Sequence, residues 1–347
     1  MKKFLLITIG LLATITAATL ALLNRWMQTP NGRLHPYMAV INKIAQWTGE
    51  DLTPENLAAK RQQASPLVFG LPLADITDRF IDGPQSRIPL RIYTPFGEAP
   101  FPVVVFFHGG GFVQGSIESH DHMAQRLALE LEAVVVSVAY RLAPEHPFPA
   151  GHDDCYAATC WVAQNCTEIN GDVTRLIVAG DSAGGNMAAT VSLHARDEGQ
   201  PAIALQILIY PSTLMFGDTS ESHQQFAGYL LRQADMRTYH EWYIADTGQG
   251  DNPYASPLLA PDLSHLPPAY IMTAGMDPLR DQGKAYADRL REANVPVVYR
   301  NYDGMIHAFM AFGFLESVPV IGRFFSAPTM AYSEMRMMLQ EFVCGEL

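Results

Sequence analysis

The chain has 347 residues, a length that suits one large domain with an accessory segment or two ordinary domains. Its content of 48% hydrophobic and 17% charged residues is typical of a folded protein and excludes a disordered one. The formal net charge of -12, with no basic run beyond Lys2-Lys3, argues against a nucleic-acid partner.

The amino-terminal segment, residues 1–27, is predicted to be a membrane anchor or an export signal. Residues 4–23 carry no charge and would span roughly 30 Å as a helix, about the thickness of a bilayer's hydrocarbon core. The run is longer than the usual apolar part of a signal peptide, which favours a retained anchor. Lys2-Lys3 would then place the remaining chain on the outer, periplasmic or lumenal, side. Secretion after cleavage is the alternative.

Two amphipathic helices are expected next, in a helical pattern that runs to about residue 67. The second is predicted to open at Thr53-Pro54-Glu55, with Thr53 as its cap. No strand precedes them, so residues 28–70 are available to cover another part of the fold.

Residues 28–347 are predicted to form an α/β domain around an eight-stranded, mostly parallel, doubly wound sheet. Helical patterns separate most of the later strands, and several strands are continuously apolar, as strands buried on both faces are. The strand-like runs are 75–81, 88–93, 103–107, 133–139, 176–180, 203–210, 270–274 and 297–302, and the helices between them are 119–131, 152–165, 185–197 and 280–293.

Between the sixth and seventh strands, residues 215–252 show helical stretches and no strand pattern. An insertion there is long enough to cover the carboxyl ends of the strands, where ligands bind in open α/β folds. Residues 28–70 and 213–252 are therefore expected to pack together as a helical lid. The aromatic residues proposed as its pocket walls are Trp47, Phe226, Tyr229, Trp242 and Tyr243.

Residues 180–186 read GDSAGGN and join an apolar strand to a helix through a tight turn. Glycines two positions before and after Ser182 permit a turn that lifts its hydroxyl above the sheet as a nucleophile. A glycine-rich turn with an incidental serine is the alternative. Other motifs in the chain are needed to distinguish a nucleophilic serine from an incidental one.

A second glycine-rich segment, HGGG at residues 108–111, follows the strand at 103–107. Its backbone N–H groups can turn inward and stabilise an oxyanion. A phosphate cradle would need a following Lys-Ser or Lys-Thr pair, and none follows.

Four segments together resemble the hormone-sensitive-lipase-like family of α/β-hydrolase esterases. They are HGGG at 108–111, YRLAPEHPFPA at 140–150, GDSAGGN at 180–186 and DPLRD at 277–281, and the likeness extends from about residue 35 to the carboxyl terminus. The resemblance implies an α/β-hydrolase fold with a helical lid, hydrolysis of carboxylic esters, and an acid at Asp277.

The acid and base can also be sought from chain order, which is Ser, Asp or Glu, then His in this fold. His307 is the only histidine after residue 265. Asp277 comes shortly after the strand at 270–274, whereas Asp281 falls within the next helix and Asp303 lies very near the histidine. We therefore expect a triad of Ser182, Asp277 and His307, with Asp303 as a distant second acid.

These residues predict a serine esterase for short- to medium-chain acyl esters, working through an acyl-enzyme. The N–H groups of Gly110, Gly111 and Ala183 are expected to hold the oxyanion, and no metal or organic cofactor is called for. An amidase or deacetylase using the same triad is an alternative. A ligand receptor without turnover is another, which the presence of His307 disfavours.

Other polar residues near these motifs are expected to be structural. Arg141 and Glu145 are predicted to form an ion pair, Asp181 to anchor the serine turn by hydrogen bonds, and Asn186 to brace it.

Overall fold

The computed structural model describes residues 2–30, 32–63, 70–245, 247–318 and 322–345. Its centre is an eight-stranded sheet with the spatial order β8-β7-β6-β5-β3-β4-β2-β1, in which β2 is antiparallel to its neighbours and the other pairs are parallel. The strands are β1 Asp75–Asp82, β2 Arg87–Thr94, β3 Phe101–Phe107, β4 Val134–Val138, β5 Gly171–Asp181, β6 Leu205–Ile209, β7 Ala269–Met276 and β8 Val297–Ile306. This confirms the predicted sheet.

Helices cover both faces of the sheet, as the doubly wound prediction requires. Helices α5, α6 and α9 contribute to the core on one face, and α2, α4 and α10 to the core on the other. The helices are α1 Lys2–Met27, α2 Pro36–Thr48, α3 Leu57–Gln63, α4 Asp121–Leu131, α5 Ala150–Gln164, α6 Ala183–Glu198, α7 Glu221–Phe226, α8 Gln233–Ile244, α9 Arg280–Glu292 and α10 Ala327–Leu339.

Strand β3 shows why its sequence is continuously apolar. Side chains alternate between the two faces of a strand, and here both faces are buried. Val103 and Val105 belong to the core on one face, whereas Val104 and Phe106 belong to the core on the other. A polar residue at any of these positions would therefore enter a core, whichever way it pointed.

The amino-terminal helices and the insertion after β6 touch each other. Asn42 on α2 accepts a hydrogen bond from the backbone N–H of Leu230 at 2.9 Å, and Arg232 donates to the carbonyl of Glu50 at 2.7 Å. The expectation of no strand in the insertion was wrong, because Gly228–Tyr229 pairs with Leu231–Arg232 in a small antiparallel hairpin. Such a short pairing has no alternating pattern by which to recognise it.

The start of the second amino-terminal helix also differs from the prediction. Residues 54–56 form a turn, and α3 begins only at Leu57. Thr53 does accept a hydrogen bond through its hydroxyl, from the N–H of Asn56, but it caps this turn rather than a helix. Residues 64–67 of the predicted pattern lie outside the described residues.

The predicted membrane segment coincides with α1, whose side chains are described from Thr14 onward. Residues 4–13 of the predicted span therefore lie outside the described side chains. Across the described residues, no helix is both long enough and apolar enough to cross a bilayer. In the described part of α1, Ile15, Leu20 and Leu22 are exposed.

The predicted ion pair between Arg141 and Glu145 is wrong, because each residue has another partner. Arg141 forms a bidentate pair with Asp154 on α5, with two contacts of 2.8 Å, and Glu145 pairs with Arg61 on α3 at 2.9 Å. Side-chain exposure is 10% and 1% in the first pair but 26% and 52% in the second.

We expect the buried pair to matter far more for stability than the exposed one. Asp154→Ala leaves Arg141, whose side chain is only 10% exposed, without its carboxylate and should lower the free energy of unfolding by about 3–5 kcal/mol. Glu145→Ala should cost about 1 kcal/mol or less, because water already screens that pair. Denaturant melts of the two variants test this comparison, and equal losses would contradict it.

Candidate active site

Ser182 stands at the sharp turn between β5 and α6, in a conformation with φ 56° and ψ -115° that L-residues rarely adopt. The turn is held by its backbone, since Ser182 N–H donates to the carbonyl of Ile209 at 2.8 Å. A Cβ on Gly180 would overlap the carbonyl of Gly184, and one on Gly184 would overlap that of Phe107. The two glycines are therefore required by close backbone packing.

The hydroxyl of Ser182 lies in a continuous chain of hydrogen bonds with His307 and Asp277. Ser182 Oγ is 2.9 Å from His307 Nε2, and His307 Nδ1 is 2.8 Å from Asp277 Oδ2. The other carboxylate oxygen of Asp277 accepts the N–H of Leu279 at 2.8 Å. Both Asp277 and His307 are buried. The structure thus brings together three residues that are 30 and 95 positions apart in the chain.

The two rival acids have other partners. Asp281 accepts a hydrogen bond from the N–H of Ser222 at 2.8 Å and pairs with Arg280. Asp303 accepts from the side-chain amide of Asn301. The carboxylate hydrogen-bonded to His307 is therefore that of Asp277.

The HGGG segment lies beside Ser182 with its glycines in conformations that favour glycine, φ 122° at Gly110 and φ 62° at Gly111. Within the described part of the chain, no hydrogen bond takes up the N–H groups of these two residues. Ala183 is the first residue of α6, so its N–H has no partner within the helix. These three N–H groups are available for a negatively charged oxygen near Ser182.

Asp181 connects the HGGG segment to the serine turn. Its carboxylate accepts the N–H of Gly109 at 2.8 Å and lies 3.3 Å from His120 Nε2. Burial favours the neutral acid, but the charge and hydrogen bond of His120 and the N–H of Gly109 outweigh it, so the pKa of Asp181 lies below its usual value. The predicted anchoring role fits these contacts.

Asn186 holds the first turn of α6 against two neighbouring loops. Its side-chain amide donates to the carbonyl of Ser212 at 2.8 Å and to that of Ala255 at 2.7 Å. This matches the bracing role expected from the sequence.

His108, the first residue of the HGGG segment, should make the fold sensitive to acid. Burial lowers its pKa to about 3, whereas a histidine in an unfolded chain titrates near 6.5. Between these values the unfolded state binds a proton that the native state does not, so stability falls as pH decreases from about 6.5, by roughly 1.4 kcal/mol per pH unit for this group.

Denaturant melts between pH 7 and pH 5 measure this slope. His108→Gln should make this slope shallower only by the contribution of His108, because burial also lowers the pKa of His152 to about 3 and that of His240 to about 4. The same substitution at the exposed His265 serves as the control. An unchanged slope in His108→Gln would show that the acid sensitivity arises elsewhere.

A cavity of about 30 Å³ opens directly onto Ser182. None of the five aromatic residues expected as pocket walls lines it: Tyr243 stacks on Phe112 at 3.9 Å between ring centres, and Trp47 is 70% exposed. The wall facing the serine comes instead from the hairpin and α8, with the residues Leu231, Met236, Tyr239 and His240. For Met236, Tyr239 and His240, the spacing on α8 is the helical signal by which the sequence would have indicated them.

Comparison with known proteins agrees with this geometry. A family model described as alpha/beta hydrolase fold matches residues 104–311. The chain belongs to the hormone-sensitive-lipase-like family of α/β-hydrolase esterases. Within this family it is 42% identical to Esterase LipI of Mycobacterium tuberculosis over 241 residues, which are 68% of this chain and 75% of that protein.

Two further relatives extend the comparison to archaea. The chain is 38% identical to an arylesterase of Saccharolobus solfataricus, over 69% of this chain and 78% of that protein. The hyperthermophilic esterase of Pyrobaculum calidifontis superimposes with a TM-score of 0.78 at 36% identity, over 87% of this chain and 97% of that one. The family's fold therefore covers most of the chain, including both the serine turn and His307.

Proposed function

We propose that this chain is a carboxylic ester hydrolase that cleaves short- to medium-chain acyl esters through an acyl-enzyme. The observation that carries the proposal is the hydrogen-bonded chain from Ser182 through His307 to Asp277. A buried acid, a histidine and a serine at this spacing form the arrangement that activates a hydroxyl for attack on a carbonyl. Membership of an esterase family supports the same chemistry.

In the proposed first half-reaction, Ser182 Oγ attacks the ester carbonyl while His307 Nε2 accepts its proton. Asp277 accepts a hydrogen bond from Nδ1–H, which leaves Nε2 as the base, and its negative charge stabilises the imidazolium that forms. His307 then donates its proton to the departing alcohol. Water repeats the sequence on the acyl-enzyme and releases the acid.

The negative charge on the carbonyl oxygen develops next to the N–H groups proposed as the oxyanion hole, those of Gly110, Gly111 and Ala183. Such donors are worth on the order of 3 kcal/mol each in barrier height, because they are already oriented when the charge appears. The positive end of α6 adds to this field.

The lid proposed from the sequence, residues 28–70 and 213–252 of a domain spanning 28–347, fits the position of α8 against Ser182. Because the cavity at the serine is only about 30 Å³, it favours small groups at the reacting carbon. A chain-length series of p-nitrophenyl acyl esters tests the short- to medium-chain part of the proposal.

An ester and its matched amide test the reaction class. We expect the purified protein to hydrolyse p-nitrophenyl butyrate far faster than the matched amide, butyryl p-nitroanilide. A fluorophosphonate should modify Ser182 once per chain, which mass spectrometry can show. Comparable rates on both substrates would favour an amidase or deacetylase. Stable ligand binding without turnover would favour a receptor and contradict the proposal.

Residues 4–23 remain our proposed membrane contact, with the catalytic domain on the outer side. The uncharged sequence after Lys2-Lys3 supports it, as does the exposure of Ile15 and Leu20 on the described part of α1. Carbonate extraction of membranes from expressing cells should leave the chain in the pellet. Release of a shortened chain would instead support cleavage and secretion.

A further inference from the structure

Helix α8 contributes residues to three cavities, one of which opens onto Ser182. Met236, Tyr239 and His240 all line the cavity of about 30 Å³ at the serine. Their spacing of three and four residues places them on one face of the helix. A cavity of this size holds one or two water molecules, so most acyl or alcohol groups fit only after a wall moves.

Tyr239 is the wall between the serine and a larger cavity of about 350 Å³, because it lines both. Its ring lies against Gly111, where an added Cβ would overlap it. Its hydroxyl accepts a hydrogen bond of 2.9 Å from the side-chain amide of Gln114. The backbone N–H of Gln114 in turn donates to the carbonyl of Gly110 at 2.9 Å. The segment that carries the proposed oxyanion hole therefore holds the Tyr239 ring in the position that separates the two cavities.

The other side of α8 borders a cavity of about 310 Å³, which shares Met236, His240 and Leu279 with the cavity at the serine. Leu214, Met215 and Phe216 add apolar surface there. Burial lowers the pKa of His240 to about 4, so this shared wall is uncharged near neutral pH.

The larger cavity beyond Tyr239 is polar but has its charges compensated. Arg232 pairs with Asp235 at 2.7 Å and with Asp51 at 3.0 Å, and Lys60 donates to the carbonyl of Glu50 at 3.0 Å. Because two carboxylates, those of Glu50 and Asp235, balance the two cations of the lining, Lys60 and Arg232, the cavity offers little to an anionic ligand. The cavity therefore suits neutral groups that form hydrogen bonds.

We propose that Tyr239 is a specificity-determining gate held by Gln114, and that opening it admits esters carrying a neutral hydrogen-bonding substituent, such as an amide, into the polar cavity. This inference rests on the proposed esterase function. The substituent lies on either the acyl or the alcohol side of the ester. The experiment below distinguishes those two sources.

The test uses two pairs of esters of similar size. In the acyl arm, p-nitrophenyl 5-acetamidopentanoate is compared with p-nitrophenyl octanoate. In the alcohol arm, 4-acetamidophenyl acetate is compared with 4-isobutylphenyl acetate. Each kcat/KM is divided by that for p-nitrophenyl acetate, and every variant is compared with the parent protein so that intrinsic reactivity cancels.

Tyr239→Ala removes the gate. In one of the two arms it should raise the relative kcat/KM of the amide-bearing ester by about tenfold over the parent protein, and this rise should be at least three times as large as the rise for the apolar ester of the same pair. Tyr239→Phe keeps the ring but loses the hydrogen bond from Gln114, so it should give a smaller rise, about threefold. Met236→Ala, the matched control on the other side of α8, should leave the preference for the amide unchanged.

Three results would overturn the gate. If the relative kcat/KM values of both folded Tyr239 variants stay within twofold of the parent, there is no gate. If kcat/KM rises equally for the amide-bearing ester and its apolar partner, the cavity has no polar preference. If Met236→Ala shows the same increased preference for the amide, the preference is not due to Tyr239. Hydrolysis of p-nitrophenyl acetate that depends on Ser182 is required at the outset. Its absence would overturn the esterase function and the gate together, whereas its presence with unchanged ratios overturns the gate alone.

Discussion

Replacing Ser182 with alanine is expected to lower kcat for p-nitrophenyl butyrate by about 10⁴- to 10⁶-fold. The substitution removes the only atom that the proposed mechanism places for attack, 2.9 Å from His307 Nε2. What remains is the oxyanion hole and substrate binding, which accelerate attack by water only modestly. KM should change little, since the hydroxyl contributes mainly to the transition state.

Ser212 provides a matched control, because it lines the same cavity and its side chain is buried. Ser212→Ala should retain activity within about tenfold of the parent, since Ser212 has no place in the chain of hydrogen bonds to His307. Activity above 1% in Ser182→Ala, in a preparation free of other esterases, would show that the nucleophile lies elsewhere.

Asp277→Asn is expected to produce the second largest loss, about 10⁴-fold in kcat. The amide that replaces the carboxylate can donate toward His307 Nδ1, which favours the tautomer whose Nε2 carries a proton and cannot act as a base. The charge that stabilises the imidazolium is also lost. Folding should survive, because the remaining amide oxygen can still accept the N–H of Leu279, as Asp277 Oδ1 does.

The same substitution at the two rival acids supplies the controls. Asp281→Asn and Asp303→Asn should each retain kcat within about threefold, because neither carboxylate contacts His307 and each has its own partners. A loss at Asp303 as large as that at Asp277 would reassign the acid. Circular dichroism and thermal melts of all three variants separate catalytic effects from unfolding.

The strands of the sheet could be predicted because their burial leaves a local signal. Val103 to Val105 point alternately to two buried faces, so each must be apolar, and this is visible without knowledge of the neighbouring strands. Ser182 and its flanking glycines were recognisable for a similar reason. The turn leaves no room for side chains at Gly180 and Gly184, and because both glycines lie within two residues of Ser182, this steric requirement is visible in the local sequence.

The residues proposed as acid and base could be located from chain order together with strand ends. His307 was the only histidine in the required place, and Asp277 followed the predicted strand at 270–274 after a short turn. Their distances from each other were not predictable, because they depend on how β7 and β8 pair. The hydrogen bonds at the site are a property of that pairing.

Contacts between segments distant in sequence were determined only by the tertiary structure. Arg141 lies only four residues from Glu145, but it pairs with the buried carboxylate of Asp154. Glu145 pairs instead with Arg61 on α3. The wall over Ser182 likewise depends on where α8 docks, so the most prominent aromatic residues of the lid were poor guides to it. Local steric and burial demands thus determined the sheet and the serine turn, whereas the packing of separate elements selected the ion pairs and the cavity walls.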